Sequence, residues 1–179
     1  SKLEGKNAPV IYGQGRHPAD NGKNLLTTFA DSDYADCDSR RSTQGIVIMM
    51  NGGPIAWSSI RGKTICMSTA EAEVMAAVSA AKESIHLKLL LGELGVKHDK
   101  ILIKEDNTAC IAQAKGGLHF IRPNIQKLAV EGEREVDFEY TETKEQLADL
   151  FTKALDEDKF KYFADQLMYD AEKDTNYQL

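Results

Sequence analysis

A change of hydrophobic period at residue 68 divides this chain and limits what it can fold into. From "LLTTFA" (25–30) to "KTICM" (63–67), apolar residues come in short runs with β-branched and aromatic members; from Ser68 they recur at helical spacing. "STAEAEVMAAVSAAKESIHLKLLLGELG" aligns Val74, Ala77, Val78, Ala81, Ile85 and Leu89 on one face of an amphipathic helix. Ser68 and Glu71 have capping-box spacing at its start, and Gly92 or Gly95 can end it. Ala76, Ala77, Ala80 and Ala81 are small enough to let this helix lie close to a sheet.

The strands for that sheet are legible on both sides. "LLTTFA" reads as a strand ending at Asp31, "STQGIVIMM" (42–50) as a second and "PIAWSS" (54–59) as a third, which can extend through "KTICM". "NGG" at 51–53 marks a tight hairpin, since Asn and Gly adopt positive φ readily. After the long helix, "KILIK" (100–104) reads as an apolar strand. "EDNTACIAQAK" (105–115) reads as a helix with Asp106 or Thr108 at its N-cap. "REVDFEY" alternates like a strand, and "TETKEQLADLFTKAL" (141–155) reads as a helix with a second capping box, Thr143 to Gln146. "DKFKYFADQLM" (158–168) is a final helix. Three hairpin-connected strands followed by alternating helices and strands predict an α/β architecture: a mixed sheet, antiparallel at first and parallel later, with helices packed on it.

Residues 1–24, rich in Gly, Asn and Lys, read as a linker or tether from a preceding domain, 25–169 as the folded domain and 170–179 as a frayed tail. The chain opens on Ser rather than Met, which points to a piece of a longer polypeptide. Its 179 residues can bury a real core. Cys37, Cys66 and Cys110 are odd in number and unpaired in spacing, which argues against a disulfide framework or a Cys-rich zinc site. They read as reduced thiols of an intracellular protein, Cys66 and Cys110 as core residues. No apolar run is long enough for a membrane span. A net charge of −6 speaks against phosphate binding unless the acidic excess is gathered at a metal site.

The acids at element junctions point to such a site. "FADSDYADCDSRRST" (29–43) carries Asp31, Asp33, Asp36 and Asp38 behind an apolar strand. A solvated turn explains acids of this kind one at a time. Yet Asp31 closes the first strand, Glu73 lies in the second turn of the long helix, Asp106 closes "ILIKE", and Asp149 sits among Leu147, Ala148, Leu150 and Phe151. If the first and fourth strands are neighbours, all four can meet at one end of the sheet. Four clustered carboxylates raise one another's pKa and loosen a site unless hard cations hold them. No phosphate-cradling Gly-rich loop is present, and Ser58, Ser59 and Ser68 lack a nearby His–Asp pair for nucleophilic catalysis.

"FADSDYADCDSRRSTQGIVIMMNGGPIAWSS", "STAEAEVMAA", "KEDNTACIAQAK" and "EYTETKEQLADLFTKAL" resemble, in order, the ribonuclease H domain of copia-type retrotransposon polyproteins. The resemblance covers most of residues 25–155. It implies a ribonuclease H-like α/β fold with a five-stranded mixed sheet, three antiparallel strands plus two parallel, and helices on both faces. It also implies cleavage of the RNA strand of RNA·DNA hybrids, leaving 5′-phosphate and 3′-hydroxyl ends. Residue by residue, the family's catalytic and metal-binding acids fall on Asp31, Glu73, Asp106 and Asp149, holding two Mg²⁺ ions for which Mn²⁺ can substitute. Glu71 is then only a cap, Asp36 and Asp38 are turn acids, and Asp33 is unassigned. The implied partners are the hybrid and the reverse transcriptase domain of the same polyprotein, with no membrane. The implied location is intracellular, in cytoplasmic virus-like particles.

Substrate contacts are expected first from Asn107, whose amide can meet a base edge or a 2′-hydroxyl, and from Arg40 and Arg41, with Arg61 and Lys63 nearby. Asn107 can equally cap its helix, and the basic residues can be solvated turn charges. Trp57 reads as core or sheet-face packing, His86 as surface or core edge, and His119 as an exposed loop residue or a local proton carrier. One departure from the family is the segment "GGLHFIRPNIQKLAVEGEREVDF" (116–138), which lacks the usual Thr-Lys-His element and carries the helix breaker Pro123. That departure supports a second reading, a catalytically inactive remnant of the same fold that binds but does not cut.

Overall fold

The computed structural model describes residues 25–34, 41–63, 65–96, 100–115 and 136–168. The linker at 1–24, the tail at 170–179, Asp36, Cys37, Asp38, Arg40, His119 and the 116–135 segment lie outside the described residues.

Strands β1 (Leu26–Asp33), β2 (Thr43–Met50) and β3 (Gly53–Arg61) form an antiparallel meander, β3 pairing with β2 and β2 with β1. Helix α1 (Thr69–Glu93) follows, then β4 (Ile101–Glu105), helix α2 (Thr108–Lys115) and β5 (Val136–Tyr140). Two short 3₁₀ turns, Thr143–Glu145 and Leu147–Phe151, precede helix α3 (Glu157–Leu167). The sheet order is β3-β2-β1-β4-β5, with β1, β4 and β5 mutually parallel. It is therefore the five-stranded mixed sheet anticipated above, with the first and fourth strands adjacent. The C-terminal ends of β1, β4 and β5 point the same way, and β2 starts and β3 stops at that end too.

Each layer follows from local chemistry. The β2–β3 turn uses Asn51 at φ 51° and Gly52 at φ 78°, the positive-φ pair a two-residue hairpin needs. At the start of α1, Ser68 Oγ accepts from the Glu71 backbone N–H at 3.1 Å, and Glu71 Oε2 accepts from the Met67 N–H at 2.5 Å. The return bond of the capping box thus lands one residue early. Gly95 ends the helix at φ 80°, its N–H donating to Gly92 and that of Val96 to Leu91, a Schellman closure.

Ala76, Ala77, Ala80 and Ala81 are fully buried against the sheet, and a Thr28–Ser84 hydroxyl bond of 2.7 Å joins β1 to α1 inside that layer. The opposite face is covered by the second 3₁₀ turn and α3, where Phe29, Val47, Met49, Leu147, Ala148 and Phe163 pack together. Helices thus cover both faces, and Cys66 and Cys110 are buried thiols.

Five expectations are corrected. β3 ends at Arg61, so "KTICM" does not extend it. Trp57 is 61% exposed on this outer strand, and Leu89, though in phase with the buried face of α1, is half exposed. The N-cap of α2 is not Asp106 or Thr108 but the alternative offered for Asn107, whose Oδ1 accepts from the Ala109 and Cys110 N–H groups at 2.9 and 3.1 Å. Finally, 141–155 is no helix. Gln146, at φ −78° and ψ 93°, breaks it into two 3₁₀ turns, because its side chain donates to the Ala30 carbonyl (2.9 Å) and accepts from the Ala148 N–H (3.4 Å). Those bonds win over the helix propensity of the segment.

Candidate active site

Four junction acids gather at the C-terminal end of the parallel strands. Asp31 projects from β1 toward the 3₁₀ turns, buried to 3% exposure, and its Oδ2 accepts a short hydrogen bond from the Thr152 hydroxyl. Burial pushes its carboxyl up to about 6; Thr152 and the Lys153 charge oppose this, while Asp149 and Asp106 add to it. Glu73 reaches over from α1, its acceptor capacity met in part by the Ser32 backbone N–H, while Oε2 is buried without a hydrogen-bond partner. Burial, then the charges of Asp31 and Asp106, push it up to about 8. Asp106 follows β4 directly and accepts from the Thr143 hydroxyl at 2.9 Å. Asp31, Glu73 and Asp106 therefore lie within one another's field.

Asp149 differs. It is fully buried on the second 3₁₀ turn, and both of its oxygens carry ion pairs: Oδ1 with Lys153 Nζ at 2.8 Å and Oδ2 with Lys159 Nζ at 2.6 Å. Lys153 Nζ also lies 3.7 Å from Asp31 Oδ2 and so bridges the two acids. Burial works against the Lys153 charge, but Asp149, Asp31 and Asp106 outweigh it and raise its pKa.

The turn that carries Asp149 can approach because β2 has Gly45 opposite Asp31. A Cβ there would stand 2.6 Å from the Ala148 carbonyl oxygen. Ser59 Oγ, donating to the Phe151 carbonyl at 2.6 Å, ties the same turn to β3.

Sequence reasoning missed Glu105, Gln146, Thr143, Thr152, Lys153 and Lys159. Glu105 is fully buried at the end of β4; its Oε1 accepts from the Asn107 N–H at 3.2 Å and its Oε2 has no partner. Burial, and then the Glu73 charge, push its carboxyl up to about 9. The alternation Ile101, Ile103, Glu105 was the available signal, since all three face inward. Of the expected substrate contacts, Asn107 spends its Oδ1 on the α2 cap, and Arg41 is exposed just before β2 at the same end of the sheet. Arg61 and Lys63 are exposed at that end as well.

The donor set suits a hard divalent cation. The converging groups are carboxylates, Glu73 keeps a buried oxygen unpartnered, and their mutual repulsion is what a nearby positive charge would relieve. Among the described residues, however, no group of three or more acidic, His or Cys side chains already stands in ligand geometry.

A mixed five-stranded sheet of this order, with helices on both faces and carboxylates at the C-terminal end of its parallel strands, defines a ribonuclease H-like domain. Solved structures agree on the fold. LC11-RNase H1 in complex with an RNA/DNA hybrid superposes with a TM-score of 0.55 at 14% identity, over 71% of this chain and 93% of that one. The N-terminal RNase H domain of a Mycobacterium tuberculosis protein gives 0.52 at 14% identity, over 78% and 96%.

Among curated proteins, the Retrovirus-related Pol polyprotein from transposon TNT 1-94 of Nicotiana tabacum is 33% identical over 144 residues, 76% of this chain and 11% of its own length. That from transposon RE1 of Arabidopsis thaliana is 30% identical over 156 residues, 79% of this chain and 10% of its own. Secreted RxLR effector protein 161 of Plasmopara viticola is 39% identical over a shorter stretch of 67 residues, 37% of this chain and 47% of its own. No family model matches. The chain is thus a ribonuclease H-fold homologue of one segment of plant retrotransposon Pol polyproteins, in agreement with the copia-type resemblance of its motifs. It spans about a tenth of the length of those polyproteins.

Proposed function

We propose that this chain is a metal-dependent endonuclease that cleaves the RNA strand of RNA·DNA hybrids during retrotransposon reverse transcription. The observation that carries the reading is the convergence of Asp31, Glu73 and Asp106 beside Asp149 on a ribonuclease H-type sheet. These four acids would hold two Mg²⁺ ions, with Mn²⁺ able to substitute. When bound, such ions supply Lewis acidity that stabilises charge developing on phosphoryl oxygens.

The chain's own groups do the positioning. The Thr152 and Thr143 hydroxyls orient Asp31 and Asp106, and Ser32 and Asn107 backbone N–H groups orient Glu73 and Glu105. Asn107 presents its amide nitrogen, which the helix cap does not use, to a base edge or a 2′-hydroxyl, and Arg40 and Arg41 meet phosphates. The match to a tenth of much longer Pol polyproteins supports a reverse transcriptase domain as covalent partner; an intracellular, virus-like-particle setting is part of the same proposal.

A second reading, a binding module that cuts nothing, is favoured by one observation: both Asp149 oxygens are already paired with lysines. Incubation with hybrid labelled at either RNA end, in Mg²⁺ and Mn²⁺, separates the readings. Internal cuts support the endonuclease, stepwise loss from a 3′ end an exonuclease, and retention of intact hybrid the binding module.

A further inference from the structure

The two halves of the acidic cluster are balanced differently. Asp31, Glu73 and Asp106 sit at the same end of the sheet within reach of one another's charge, and the Glu73 Oε2 atom is buried and unpartnered. Asp149, fully buried, is neutralised by two ammonium groups at 2.8 and 2.6 Å: Lys159 hydrogen-bonds Oδ2, whereas Lys153 balances the charge of Oδ1 without a hydrogen bond to it. Lys159 holds its position against local preference. It sits in the first turn of α3, where its N–H donates to the Asp156 cap at 2.8 Å, and the positive end of a helix dipole disfavours a cation there. The Asp149 pair, supported by the Phe163 ring whose centroid lies 5.4 Å from Nζ, outweighs that cost. A local conflict retained beside a site of convergent acids marks a group placed for the site rather than for the helix. Both lysines keep about a third of their side chains exposed, so either can swing to water without opening the core.

We propose that Lys153 and Lys159 are built-in counter-cations for Asp149, so that the free chain takes one divalent ion at Asp31, Glu73 and Asp106 and admits a second only when the lysines are displaced. The inference rests on the metal-dependent reading above and makes the two ions unequal. In it, Lys159 sets the threshold for the second ion, and Lys153, lying between Asp149 and Asp31, couples the two halves.

Mn²⁺ titration of the whole 179-residue chain, read by calorimetry and by the electron paramagnetic resonance of free Mn²⁺, tests this without any cleavage assay. The wild type is expected to bind one ion, with a second at least ~10-fold weaker, the lower end of what changes around metal ligands do to affinity. The double variant Lys153→Met, Lys159→Met is expected to bind two. Without metal it is also expected to melt below the wild type and to gain more from Mn²⁺ than the wild type does. Asp149→Asn, which needs no counter-charge, is expected to bind one ion within about twofold of wild-type affinity, since that ion does not use Asp149. Two equivalent ions on the wild type, a folded double variant that still takes one, or loss of the first ion in Asp149→Asn would overturn the inference. The first of these outcomes leaves metal-dependent cleavage standing. No ion on any of the proteins would overturn the metal reading itself.

Discussion

Gly45→Ala adds one methyl group at the place where the sheet and the Asp149 turn come closest. The new Cβ would meet the Ala148 carbonyl oxygen at 2.6 Å, Thr152 Cγ2 at 2.7 Å and Phe151 Cβ at 3.1 Å. The first of these is backbone and cannot rotate away. Its turn is tied down by Gln146 to Ala30, by Ser59 to Phe151 and by Thr152 to Asp31, so it must move as a body, by under about 1 Å, to regain contact distance. Overpacking of this kind costs ~1–3 kcal/mol. Replacing a strand glycine returns ~0.5–1 kcal/mol of backbone entropy, so the net loss is at most ~2.5 kcal/mol. At ~2–4 °C per kcal/mol for a chain of this size, the melting temperature falls by up to ~10 °C and the protein stays folded at room temperature.

Activity is expected to suffer far more than stability, because the turn carries Asp149: a displacement near 1 Å at a catalytic group costs ~10²-fold. Gly92→Ala is the control, since nothing lies within 4 Å of a Cβ there and alanine favours the helix by up to ~1 kcal/mol. Thermal melts and hybrid cleavage on both variants check this. A Gly45→Ala protein with wild-type melting temperature and wild-type cleavage would refute the close docking of the turn.

Glu73 gives a pH prediction. Its folded pKa near 8 lies above the ordinary 4.5, so the folded chain keeps a proton that the unfolded chain releases between those values. Metal-free stability should be greatest below about 4.5 and decline through about 8, by an order of a few kcal/mol, and Glu105 extends the decline toward 9. Urea melts in chelator across that range should show the slope in the wild type and a shallower one in Glu73→Gln; a slope unchanged by the substitution would contradict the assignment. Gln146→Ala leaves the Ala30 carbonyl buried without its donor and should cost ~1–3 kcal/mol in the same melts. Ser68→Ala removes the α1 cap and should cost ~1 kcal/mol.

What could be read from the amino-acid order is what local chemistry decides. The α1 boundaries rest on Ser68 and Gly95 and the hairpin on Asn51 and Gly52, whereas the β1–β4 adjacency stood only as a condition, which the sheet meets. Asp31, Glu73 and Asp106 were visible because they fall near element ends, although β1 runs on to Asp33 rather than closing at Asp31, Glu73 lies in the second turn of α1, and only Asp106 stands just past its strand. Asp149 was visible as a residue but not in its setting. Its segment has every local mark of a helix, and only Gln146, bonding to a carbonyl 116 residues away, makes it two 3₁₀ turns. Asn107 took the α2 cap because Asp106 is held instead by Thr143, a partner 37 residues distant. Trp57 lies on an outer strand whose exposure depends on sheet order, which its own neighbours do not encode. Nothing in the local sequence around Lys153 and Lys159 singles them out, and their value lies wholly in the buried carboxylate they share.

Whether the acids at the end of the sheet cut the RNA strand of a hybrid is decided by one comparison. RNA·DNA hybrid with internally labelled RNA is incubated in Mg²⁺ with the wild type and with Asp31→Asn, both verified as folded by circular dichroism. Internal cuts in the RNA strand with 5′-phosphate and 3′-hydroxyl ends are expected, abolished by chelator and reduced by at least ~10²-fold in Asp31→Asn. Intact RNA with the folded wild type, or equal cleavage by both proteins, would contradict this expectation.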